Sequence, residues 1–103
     1  MLELAVLGLL AERPRHGYDL KKRLSETLGP LWGISFGSLY PALKRLELKG
    51  WIASNWEMSD QNRRAKFYRL TAAGRKQLRR EHSKWTQFVT AVTRIMGPAE
   101  VRR

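Results

Sequence analysis

The stretch LELAVLGLLAE, residues 2–12, carries leucine, alanine or valine on nearly every side of a helix. A helix that is apolar all round is buried all round. In a chain of 103 residues, one small domain with a modest core is the expectation. Covering this helix therefore takes a second surface. The stretch holds Glu3 and is too short to span a bilayer. It lacks the basic start and small-residue cleavage site of a secretory signal, so a cytoplasmic protein without a membrane partner is expected.

Arg13-Pro14 breaks that first pattern. Residues 16–28 then place Tyr18, Leu20, Leu24 and Leu28 along one stripe, with Lys21, Lys22 and Arg23 mostly off it. That is an amphipathic helix, ended by Gly29-Pro30. His16 caps or packs at its start, and Tyr18 reads as a core residue before a surface one. Leu31 to Ile34 form a short connection, in which Trp32 would cover the core edge. In SFGSLYPALKRLELKGW, residues 35–51, Leu39, Leu43 and Leu46 recur at helical spacing and Gly50 fits a helix-ending position. Ser35 and Ser38 both qualify as the N-cap. Pro41 is harmless in the first turn if Ser38 is the cap, and lies deeper, with a kink, if Ser35 is.

WIASNWEMSDQNRRAKFYRL reads as two strands around a mobile, basic tip. Trp51 and Trp56 are expected to pack in this hairpin. Phe67 and Tyr68 take opposite faces, so one of them is core. Thr71 is an N-cap candidate for a last helix from Ala72 to about Met96, whose end is marked by Gly97-Pro98. The closing VRR reads as a frayed tail.

Helix, helix, helix, hairpin and long helix make a mainly α chain with a small β-hairpin: a winged helix-turn-helix plus a long C-terminal helix. Residues 1–70 would form the winged unit, and residues 71–103 a dimerisation helix and tail within one compact whole. In such folds the later helix enters the major groove with its N-terminal residues against base edges. Ser35, Gly37 and Ser38 are small enough for close approach, or merely cap the helix. Tyr40 and Lys44 lie further in, and Arg45 and Lys49 would reach flanking phosphates. The net charge of +11 is uneven, with eight cations against five anions in residues 1–56 and twelve against four in residues 57–103. Such an excess favours a polyanion, nucleic acid before an anionic membrane. Arg63, Arg64 and Lys66 are the wing candidates for phosphate or minor-groove contact, or else a solvated charge run. Arg75, Lys76, Arg79 and Arg80 crowd a helix N-terminus and oppose its macrodipole, which points either to a compensating partner such as phosphate or to surface chance.

The last helix carries an apolar stripe that includes Leu78, Trp85, Phe88, Val92 and Ile95. A winged unit of this size leaves that stripe, and part of the first helix (Leu2, Val6, Leu9), uncovered. Pairing both with a second copy solves the problem and supplies the two-fold symmetry a palindromic operator needs.

HGYDL, GSLYPALKRLELKGWI and RAKFYRLTAAGRKQL together resemble the PadR family of transcriptional regulators. The likeness runs from about Leu2 to at least Leu78. It implies a winged helix with a C-terminal dimerisation helix, operator binding as a homodimer and, usually, repression. It implies a recognition helix at 36–49, a wing tip at 58–64, and a dimer contact through the first and last helices. Ser38, Tyr40, Pro41 and Leu43 fall on the family motif. As in some relatives, Trp85 and Phe88 would line a site for a flat aromatic effector, or simply pack at the interface. Ending after one helix, the chain is similar to the compact subgroup.

There is no cysteine, so thiolate metal sites and cysteine nucleophiles are excluded. His16 and His82 lack partners at ligand spacing, and no catalytic triad order or phosphate loop stands out. No enzyme, cofactor or metal is expected. The competing readings are a winged helix that binds protein without specific DNA binding, and a basic amphipathic protein on anionic membrane.

Overall fold

The computed structural model describes residues 2–29 and 33–97. The expectations for Pro30, Trp32, Pro98 and the VRR tail lie outside the described residues. Helix α1 spans Leu2–Glu12, strand β1 Arg15–His16, α2 Gly17–Leu28, α3 Phe36–Leu48, β2 Ile52–Met58, β3 Arg64–Leu70 and α4 Ala72–Met96. The strands form one antiparallel sheet in the order β1-β3-β2. This is a winged helix-turn-helix followed by a long helix.

One buried cluster holds the winged unit together. Val6, Leu7 and Leu10 of α1 meet Leu20 and Leu24 of α2, Leu39, Leu43 and Leu46 of α3, and Ile52, Tyr68 and Leu70 of the sheet. The leucines at helical spacing in α3 are thus its inner face. Each fully buried leucine contributes roughly 1.5–3 kcal/mol relative to exposure. Val6 is fully buried within its own chain, which corrects its place in the expected dimer surface: no area is left for a second copy. Leu2 and Leu9 are only half-buried and pack on the core edge.

Strand β1 was not expected. Two residues carry no alternation, and they become a strand only because β3 offers partners, Arg15 to Tyr68 and His16 to Phe67. Arg15 is buried but fully engaged. It donates to the Leu9 carbonyl (3.2 Å), to Glu12 (2.6 Å) and to Asp19 (3.2 Å). The guanidinium therefore sits between the C-terminal end of α1 and the N-terminal turn of α2, where cation and carboxylate each suit the helix dipoles. His16 caps α2 by accepting the Asp19 amide at Nδ1 (3.0 Å).

Ser35 is the N-cap of α3, with Ser38 completing a reciprocal capping box. The Ser38 amide donates to Ser35 Oγ (3.2 Å), and the Ser35 amide donates to Ser38 Oγ (3.4 Å). Pro41 consequently lies past the first turn, and the helix still runs through it as one element. The proline cannot donate to the Gly37 carbonyl, but Gly37 is exposed and water can serve that acceptor. At the other end, Gly50 takes a left-handed φ of 76°. The Gly50 amide donates to Glu47 O and the Trp51 amide to Leu46 O, a Schellman ending.

Thr71 joins the wing to α4. Its hydroxyl donates to Gly50 O (2.7 Å) and accepts the Gly74 amide (3.0 Å). Hydrogen bonds of its own close the wing tip, the segment expected to be mobile from its polar sequence. The Ser59 amide donates to Arg63 O, the Asn62 amide to Ser59 O, and the Arg63 amide to Ser59 Oγ. Asn62 takes the left-handed φ of 59° that closes the turn, which asparagine tolerates.

Candidate nucleic-acid interface

Helix α3 has two sides of opposite character. Leu39, Ala42, Leu43 and Leu46 are buried, whereas Ser35, Phe36, Gly37, Ser38, Tyr40 and Lys44 are exposed. The serines at the front are engaged in capping each other. The close-approach reading therefore rests on their size and on the Phe36 and Gly37 amides, which this cap does not use. Behind them, Phe36 and Tyr40 stack with ring centroids 5.3 Å apart, and Lys21 Nζ of α2 lies 5.0 Å from the Phe36 ring. Phe36 was missed in the sequence, although its spacing of four from Tyr40 is the signal for such a pair.

Tyr40 leans against the start of α2. A Cβ built on Gly17 would come within 2.7 Å of the Tyr40 hydroxyl, so the bare glycine backbone makes room for that ring. Tyr18 is 63 % exposed, which overturns the core reading. Its ring stacks on His16 (6.5 Å, 11°), and His16 meets the edge of Phe67 at 5.1 Å. Of the strand pair, Tyr68 is the core residue. Burial first, then the nearby Glu47 charge, pushes its phenol pKa up.

Across from α3 stand the wing cations. Arg63 and Arg64 are exposed and Lys66 is half-buried. The Arg64 guanidinium lies 5.2 Å from the Trp56 ring, and Lys66 Nζ lies 5.9 Å from the Tyr68 ring. Trp56 is 56 % exposed rather than packed in the hairpin, while Trp51 is half-buried against the core. A groove of about 890 Å³ separates the two walls, with Tyr40 and Tyr18 on one side and Trp56, Arg64 and Lys66 on the other. Ser35, Gly37, Ser38 and Lys44 remain exposed on α3, outside the groove lining.

Arg45 is redirected. Its Nε and Nη2 donate to Glu3 Oε2 of α1 at 3.1 and 2.9 Å, so it ties the two helices together instead of standing free for phosphate. The Arg45 hydrogen bond holds the Glu3 carboxyl below its ordinary value of 4.5, against a smaller opposing effect of burial. A carboxylate whose pKa is lower folded than unfolded stabilises the fold above the unfolded value, and that contribution is lost as the pH falls through the folded one. Thermal melts taken downward from pH 6 should therefore show wild type losing part of its acid-side stability that Glu3→Gln lacks from the outset. Parallel losses in the two proteins would mean that the pair is not formed in solution.

Along α4, Gly74 near the start of the helix is buried. Leu78 packs on the core edge and Val92 is half-buried, but Trp85, Phe88 and Ile95 are exposed. The rings of Trp85 and Phe88 lie 6.1 Å apart. No helix among the described residues is long and apolar enough to cross a membrane.

Residues 6–80 match the model of the transcriptional regulator PadR-like family. The chain belongs to that family. It is 33 % identical over 78 residues to the negative transcriptional regulator PadR of Bacillus subtilis, a match covering 76 % of this chain and 43 % of that one. The chain thus aligns with less than half the length of that relative. Among solved structures, a PadR-like transcriptional regulator from Bacillus cereus superposes with a TM-score of 0.85 at 27 % identity, covering 94 % of this chain and 92 % of the other. Bacillus subtilis PadR in complex with operator DNA superposes with a TM-score of 0.66 at 33 % identity, over 76 % of this chain and 44 % of that one. PadR-family members are transcriptional regulators, and the two-sided α3 and cationic wing are the parts of this member suited to a nucleic acid.

Proposed function

We propose that this PadR-family chain is a repressor that binds a near-palindromic operator in double-stranded DNA as a homodimer. Residues 36–49 enter the major groove front first, and the 58–64 wing reaches the flanking backbone. The observation that carries this reading is the division of α3, with leucines inward and Ser35, Gly37, Ser38, Tyr40 and Lys44 outward, Tyr40 among them lining the groove that the wing also lines. Arg63, Arg64 and Lys66 serve phosphates. Residues 1–70 are the reading unit and residues 71–103 the pairing unit. Trp85, Phe88, Ile95 and the half-buried Leu2, Leu9, Leu78 and Val92 meet the second copy. A flat aromatic effector would bind beside Trp85 and Phe88. With DNA as its partner, the protein would work in the cytoplasm.

Binding-site selection from random duplex DNA at near-physiological salt tests the reading. Enrichment of one near-palindrome supports it and gives the half-site spacing. A folded dimer that enriches nothing favours a winged helix that binds protein instead. With the site in hand, Tyr40→Ala or Lys44→Ala should reduce preference for the operator over unrelated DNA. Arg63→Ala with Arg64→Ala should instead weaken binding to every sequence, and flatten the log–log salt dependence by up to about 1.8. If both sets change binding in the same way, the division between reading and anchoring is wrong.

A further inference from the structure

The groove between α3 and the wing has a chemistry of its own. Pairing of Ile52 with Leu70, Ser54 with Tyr68, Trp56 with Lys66 and Met58 with Arg64 puts these residues on one face of the hairpin, because side chains alternate along a strand. Ile52, Leu70 and Tyr68 on that face are buried, so it is the core-facing side. Further out the same face passes the edge of the core and becomes exposed at Trp56, Met58 and Arg64. Trp56 thus overhangs the groove, with the floor formed by Tyr68 and the far wall by Tyr40 and Tyr18. Among the described residues lining the groove there are three cations and no carboxylate.

A helix in the major groove and a hairpin reaching past its edge must straddle one sugar-phosphate strand, since a strand separates the two grooves of a duplex. Along that strand an apolar sugar face alternates with an anionic phosphate. Trp56 and the Arg64 guanidinium, 5.2 Å from its ring, offer the matching alternation of aromatic face and cation. A tryptophan is large and apolar, and its exposed ring gains from burial against a partner.

We propose that Trp56 packs on a deoxyribose of the strand lying between α3 and the wing, as a grip that acts on any sequence. The inference rests on the duplex-DNA reading above. The contact removes apolar surface from water and neutralises no phosphate, so its energetics are insensitive to salt, unlike those of the cations beside it.

The test uses the full chain and a short mixed-sequence duplex, with anisotropy titrations at several salt concentrations. Trp56→Ala should weaken binding about tenfold, within the range seen for aromatic contacts to nucleic acid. Its salt slope should match wild type, whereas Lys66→Ala should flatten that slope by roughly 0.9. Trp56→Phe keeps an aromatic face and should stay within about threefold of wild type. Trp56→Ala binding as tightly as wild type overturns the grip while leaving the DNA reading intact. A weakened Trp56→Ala with a flattened slope also overturns it, because the loss then belongs to the Arg64 phosphate contact. If Trp56→Ala also lowers the melting temperature, Trp56→Phe decides: full folding with wild-type-like binding supports the grip, and full folding with tenfold loss overturns it. Failure of wild type itself to bind the duplex at low salt overturns the DNA reading, and is seen before any variant is made.

Discussion

Phe88→Arg should leave the chain folded but largely monomeric, and lower its affinity for a two-half-site operator by about 10²- to 10⁴-fold. Phe88 is 60 % exposed and its ring lies beside that of Trp85. Ile95, further along α4, is 83 % exposed. Apolar side chains of this size gathered on one helix face mark an interaction site. In the proposed homodimer a guanidinium there would meet the same groups of the second copy across a symmetric contact, so one substitution would introduce the charge twice. The fold of the single chain should survive, since Phe88 lies outside its buried cluster. Sedimentation should report the loss of the dimer. The affinity for an isolated half-site should be unchanged, because the reading helix is untouched. The large loss belongs to the second half-site, which binds as if at high local concentration only while the copies are joined. A Phe88→Arg protein that still sediments as a dimer would place the pairing surface elsewhere.

Gly74→Ala should destabilise the chain by about 3 kcal/mol, the upper end for forcing atoms into a packed site. A Cβ on Gly74 would lie 1.9 Å from the Trp51 carbonyl oxygen and 2.8 Å from Leu70 Cδ1. The first of these is backbone, fixed in place by the Thr71 amide that donates to the same oxygen at 3.1 Å. The start of α4 would have to move off the wing, breaking the bonds from Thr71 to Gly50 and from Gly74 to Thr71. Thermal melting should show a fall of roughly 10–20 °C. The effect is specific to the position: at Gly37 the same added carbon meets only Ser35 Oγ at 3.5 Å, an ordinary contact. An unchanged melting temperature for Gly74→Ala would mean that α4 is not seated on the hairpin in this way.

The sequence by itself determined the order of the four helices and the hairpin, the inner face of α3 and both ends of α4. These are local matters. Leucines four apart fall on one side of any helix, Gly50 is free to take a left-handed turn, and Thr71 reaches an amide three residues on whatever surrounds it. Between Ser35 and Ser38 the sequence left a choice, and the structure uses both serines at once. What only tertiary structure decided is which surfaces meet. Two residues became β1 because β3 lay beside them, and Arg15 was buried because two helix ends converged on it. Arg45 turned to Glu3, forty-two residues away, and Val6 went wholly into the core. Tyr18 and Trp56 are the reverse case. Both are aromatic residues that composition assigns inward, and both stand in the open because the core ends before it reaches them. A side chain's chemistry is written in the sequence, but its partner is set by how helices and sheet pack, and here that packing leaves an aromatic, cationic groove between α3 and the wing.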